Sequence, residues 1–116
     1  GLSEDEQEKL LKAGFDFAMQ DRLQRSLIES QVEAKRELLA LASALAEFGF
    51  LLSDEQKKVL QTSMADVQHA IDDAEQAQLE TASAQLKVHS DNFAALIMNQ
   101  AVNETMKGTS TADWSN

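Results

Sequence analysis

The chain has 116 residues, with 10 Lys plus Arg against 20 Asp plus Glu, and a formal net charge of −10. That length suits one domain. The twofold excess of acid disfavours nucleic acid, whose phosphates need clustered Lys and Arg, and it disfavours anionic membranes for the same reason.

Three further counts narrow the class. There is no Pro, there are four Gly, and there is no Cys. Sheet proteins need many turns, and Pro and Gly are the residues that make them. Their scarcity, beside abundant Ala, Leu, Glu, Gln and Lys, predicts an all-α chain. Without Cys there are no disulfides, thiolate metal sites or Cys nucleophiles, which fits a reducing compartment such as the cytoplasm. The most apolar stretch, Leu38 to Leu52, is too short for a bilayer and contains Glu47. The expectation is that no signal peptide precedes the first helical segment. Gly1 stands where an initiator Met would, so the expectation is a piece of a longer protein.

In chain order, Ser3 with Glu6 reads as a capping box, and Glu4, Asp5 and Glu6 suit the positive end of a helix dipole. Leu10, Leu11 and Phe15 follow at helical spacing. Gly14 interrupts them at a cost of about 1 kcal/mol relative to Ala, which predicts a bend or helix junction near residues 14–17. From Ala18 to Glu47 there is no breaker. Leu23, Leu27, Ala34, Leu38, Leu41, Ala42 and Leu45 form one stripe, and Arg25 and Glu29 have the spacing of an i,i+4 ion pair. A helix of that span is about 45 Å long, whereas a compact domain of this size is about 35 Å across. The helix is therefore expected to project beyond the bundle it joins.

Gly49 in Phe48-Gly49-Phe50 reads as a left-handed cap. Ser53-Asp54-Glu55-Gln56 is a second capping box, followed by a helix that buries Val59 or Leu60, then Met64, Val67 and Ile71. Asp72-Asp73 marks a stop and a new start. The next segment carries Leu79, Ala82, Leu86, Phe93, Ile97 and Ala101 on one face, with a break expected at Ser90-Asp91. These elements predict a long helical arm, about residues 4–35, running into a small antiparallel three-helix bundle, about 36–107. Residues 109–116 read as a flexible C-terminal tail.

Catalytic and metal chemistry is poorly provided for. Glycines at 1, 14, 49 and 108 make no phosphate-cradling loop. Asp66-x-x-His69 is half of one di-iron motif where two are needed. His89, one turn from Leu86 and Phe93, reads as a structural histidine. Helix starts explain the acidic runs, Lys35-Arg36 and Lys57-Lys58 read as solvated pairs, and Trp114 reads as exposed in the tail. The expected assignments for this chain are no catalytic residue, no cofactor-binding residue and no metal ligand. What remains is the arm. Leu10, Leu11, Phe15, Phe17, Leu23, Leu27 and Ile28 are too many apolar side chains to leave in water, and a patch of that size marks an interface. The interface candidates are Leu10, Leu11, Phe15, Leu23 and Leu27.

These features together resemble the C-terminal helical lid of the seventy-kilodalton heat-shock chaperones, and within them the HscA-like branch devoted to iron–sulfur assembly. Leu2-Ser3-Glu4-Asp5-Glu6 resembles the opening of the first lid helix. Asp21-Arg22, Gln31-Val32-Glu33-Ala34, Ala44-Leu45, Leu51-Leu52-Ser53, Phe93-Ala94-Ala95, Met98 and Lys107-Gly108 stand in the branch's order and spacing. The likeness runs from Leu2 to Gly108. It departs at Leu96-Ile97, where the branch carries two basic residues, and at Phe48 and Phe50, where it carries small or acidic ones.

The resemblance implies that residues 2–108 are a lid closing over client in the ADP state. The parent would be an ATPase using ATP, ADP and magnesium. The implied partners are the parent's own β-sandwich peptide-binding subdomain, an iron–sulfur scaffold protein as client, and a J-domain co-chaperone, in the cytoplasm. Severed from that sandwich, the arm is expected to self-associate. The competing expectations are the lid of a general heat-shock chaperone, a stand-alone adaptor bundle, and an enzyme or metal carrier.

Overall fold

The computed structural model of the protein contains three α-helices and, among the described residues, no strand. Helix α1 is Glu4–Phe48, a 3-10 turn follows at Gly49–Leu51, α2 is Asp54–Asp73, and α3 is Gln76–Trp114. The structure describes residues 1–114, with side chains for 1–106; α3 thus takes in Thr109–Trp114 of the tail expected at 109–116, and Ser115 and Asn116 lie outside the described residues.

Helix α1 is continuous for 45 residues, and the junction expected at residues 14–17 does not exist. A Cβ placed on Gly14 would meet nothing within 4 Å. The glycine therefore answers no packing demand, and its small propensity cost is outweighed by the helix formers on either side. Ser3 caps the start by accepting from the Glu6 N–H at 3.2 Å. The return half of the expected box, Glu6 accepting from the Ser3 N–H, does not form; Gln7 Nε2 instead donates to the Leu2 carbonyl.

Two other expectations about breaks are corrected. Gly49 is right-handed, at φ −56° and ψ −25°, and α1 tightens there into a 3-10 turn rather than ending on a left-handed glycine. The left-handed residue is Ala74, at φ 53° and ψ 42°, two residues before α3. Nor does α3 break at Ser90-Asp91, because buried Leu86 and Phe93 pin the helix on either side of them. The second capping box forms in full: Gln56 N–H donates to Ser53 Oγ, and Ser53 N–H to Gln56 Oε1.

The core lies where the second half of α1 meets α2 and α3. Ala34 and Leu41 come from α1, Leu60, Val67, Ala70 and Ile71 from α2, and Leu79, Ala82, Leu86 and Phe93 from α3. Leu60 is inward, and Val59 is 42% exposed. Leu27, Leu38, Leu45, Phe48, Met64 and Ile97 are half-buried around this centre, and Ala101 is exposed. Burying such side chains contributes about 1.5–3 kcal/mol each. Between α1 and α2, shared grooves join Leu38 and Leu39 to Gln68 and Ala65, then Leu45 and Ala46 to Gln61 and Lys57, so rising numbers in one helix meet falling numbers in the other.

Two long-range hydrogen bonds tie α1 to the turn between α2 and α3. Gln31 Nε2 donates to the Ile71 carbonyl at 2.9 Å, and Gln76 Nε2 to Ser30 Oγ at 3.2 Å. Upstream of Leu27 no residue of α1 belongs to the core or packs against it. The molecule measures 91 × 32 × 17 Å.

Candidate interaction surface

The first six turns of α1 form a rod whose apolar side chains have no cover. Leu10 is 59%, Leu11 75%, Phe15 64% and Leu23 60% exposed. Leu27 is separated from these four: it is half-buried and leans on the core. Four of the five interface candidates thus share the free part of α1, and the fifth marks where the free part ends.

Helical geometry explains the division. At about 100° per residue, Leu23 and Leu27 lie on the face that carries Ala34, Leu41 and Leu45 into the core. Leu11 and Phe15 lie together to one side of that face. The rod has little electrostatic bracing. Arg25 pairs with Asp21 at 2.9 Å rather than with Glu29, and exposed pairs of this kind contribute little.

The remaining candidates stay apart from the rod. Asp66 and His69 line an open groove with Glu75 and Gln85, but no three His, Asp or Glu side chains among the described residues are placed to hold a metal ion. His89 is half-buried and lines a small cavity of about 280 Å³ with Leu52, Leu60, Phe93 and Leu96. Leu96 lines that cavity, Ile97 and Phe48 rest on the core, and Phe50 is exposed. No described helix is long and apolar enough to cross a membrane. Sequence reasoning missed Gln31 and Gln76, since a glutamine that reaches another helix looks like any solvated one. It also passed over Val32 and Leu39, both exposed on α1.

The comparisons with known proteins agree with one another. The family model described as Hsp70 protein matches residues 1–99. A chaperone protein HscA homolog of Acinetobacter baylyi is 45% identical over 115 residues, which is 99% of this chain and 18% of that protein. HscA homologs of Variovorax paradoxus and Delftia acidovorans are 37% and 33% identical, over 93% and 95% of this chain and 18% of each relative. The chain thus spans under a fifth of the length of these curated relatives. With so much of its length matched, by model and by relatives alike, this helical chain belongs to the Hsp70 family and is HscA-like.

Proposed function

We propose that the chain is the helical lid of the peptide-binding domain of an HscA-like chaperone. The observation that carries the reading is the uncovered apolar rod at the start of α1, with Leu11, Phe15 and Leu23 exposed on a helix anchored only at its far half. A lid requires this division: one part folded on itself, the other presenting apolar surface to a neighbour that it covers. In the whole protein that neighbour is the β-sandwich that grips client peptide. The ATPase domain, with magnesium and ATP or ADP, sets whether the lid is open or closed. A J-domain co-chaperone acts on that cycle in the cytoplasm, and the client is the iron–sulfur scaffold protein. The chain's own role in this scheme is steric and contains no catalytic step.

A cover obstructs escape more than entry, because association is limited by encounter and dissociation by what must first move away. Removing this region from the full protein is expected to speed release of a fluorescent client peptide in the ADP state, with a smaller change in association. Leu11→Glu with Phe15→Glu should reproduce much of that effect while leaving the bundle folded. Unchanged release on deletion would refute the lid role.

A further inference from the structure

Helix α1 carries a second apolar stripe. Phe17, Ile28, Val32 and Leu39 are exposed by 74, 50, 46 and 73%. At about 100° per residue, these four and Leu10 fall within one sector about 60° wide. Leu11, Phe15 and Leu23 lie a quarter turn or more away from its centre. The stripe also avoids the face that meets the core, and it runs past the rod onto the part of α1 that borders α2. Its positions are separated by seven, eleven, four and seven residues, sums of the threes and fours that keep a coiled-coil seam on one face. Two charged residues interrupt it: Asp21 and Lys35, each seven residues from Ile28.

That symmetry selects a partner. When α1 is laid antiparallel on a second copy with Ile28 opposite Ile28, Asp21 meets Lys35 of the other copy. Phe17 then meets Leu39, Gly14 meets Ala42, and Leu10 meets Ala46. Phe17 packs on Leu39, Leu10 and Gly14 face alanines, Val32 faces Gln24, and each opposite-charge contact occurs twice about the two-fold axis. Other arrangements lack this match. A shift of one heptad sets Asp21 against Ile28 or Ala42. A parallel, in-register pair sets Asp21 against Asp21 and Lys35 against Lys35. A polar pair within an apolar seam fixes register in this way.

The groove beside the stripe accommodates the incoming helix. Lys35, Leu39, Ala42, Met64 and Ala65 line a shallow cavity of about 500 Å³ between α1 and α2, with an apolar floor. The second copy's Phe17 would lie over it. The groove continues past Ala46 to Lys57, where the register brings the acidic residues around Glu6. Arg25 engages Oδ2 of Asp21, which leaves Oδ1 to accept from Lys35 of the second copy.

We propose that the Phe17–Ile28–Leu39 face of α1 is a docking surface for a second copy of this chain, which binds antiparallel and in the register set by Asp21 and Lys35. Apart from Leu10, which both include, this face is separate from the Leu11–Phe15–Leu23 face that carries the lid role, so either assignment can fail without the other.

Sedimentation equilibrium of the 116-residue chain from micromolar to millimolar concentration tests it, with circular dichroism to verify that every variant stays helical. A monomer–dimer equilibrium is expected. Asp21→Lys alone and Lys35→Asp alone should each weaken it by roughly tenfold or more, and the two together should restore it. The native chain has no Cys, so Ile28→Cys should cross-link to itself under mild oxidation and Leu23→Cys should not. A strict monomer over the whole range would overturn the proposal. So would a dimer indifferent to both charge reversals, a double reversal that fails to restore pairing while remaining helical, or a dimer broken by Leu11→Glu and Phe15→Glu alone.

Discussion

The two halves of α1 share one backbone and little else. From Glu4 to Ser26 the helix is stabilised by its own hydrogen bonds, the Ser3 cap and helix propensity. From Leu27 to Phe48 the same regular backbone gains buried Ala34 and Leu41, the Gln31 bond to Ile71 and the company of two helices. Regular hydrogen bonding is therefore no measure of how firmly a segment is held. Most helical stability in proteins comes from packing an apolar face, and only one half of α1 has done so. Two regions of equal helicity should differ widely when the molecule opens locally.

Substitutions can break or sharpen that contrast. The largest effect is expected in the bundle: Phe93→Ala should cost about 3–5 kcal/mol and Leu86→Ala about 2–5 kcal/mol in chemical denaturation, since both side chains are fully buried. Leu11→Ala in the rod should change the same midpoint by less than about 0.5 kcal/mol. Similar values for Leu86 and Leu11 would mean that the rod is as well packed as the bundle.

Gln31→Ala, at the boundary between the halves, should cost about 1 kcal/mol by removing one of the two hydrogen bonds that the Ile71 carbonyl accepts, the other coming from the Ala74 N–H. Hydrogen exchange should then show faster opening of α1 near residues 27–34, with the amides of α2 around Val67 little altered. Exchange that rises equally everywhere would make the bond global rather than local.

A reciprocal pair gives smaller effects. Ala74 sits left-handed and exposed, at a strain of roughly 1–2 kcal/mol. Part of that returns as lost chain entropy on substitution, so Ala74→Gly should stabilise the bundle by up to about 1 kcal/mol in thermal unfolding. Gly14→Ala adds a methyl in open space within a helix and should favour rod helicity by about 0.5–1 kcal/mol. It should appear as slower exchange near residue 14 with no shift in the denaturation midpoint. The opposite exchange of residues thus stabilises each half for its own local reason.

The same division decides what was legible from sequence. Ser53 and Gln56 announced a helix start because capping is local chemistry between residues three apart. Leu79, Leu86 and Phe93 announced a buried face because their periodicity is unbroken. Gly14 and Gly49 misled, since a glycine lowers the cost of a break without causing one. Ala74 was invisible, as nothing in an alanine signals a left-handed turn. In the rod, Leu10, Leu11, Phe15 and Leu23 were readable as unpartnered. The second stripe was obscured because Asp21 and Lys35 interrupt it, and those two residues become informative only when the helix is paired with its own reverse.

The 45-residue span of α1 also governs how the molecule drifts through water. Its radius of gyration is 23.5 Å, against roughly 13 Å for a compact chain of this length. Frictional drag follows shape, so a lone 12.8 kDa chain should elute from a sizing column and tumble as though it were considerably heavier. A monomer will then resemble a dimer to any method that reads Stokes radius, and an antiparallel pair lying side by side along α1 will add less length than mass. Light scattering or equilibrium sedimentation, which weigh the particle, can tell the two apart.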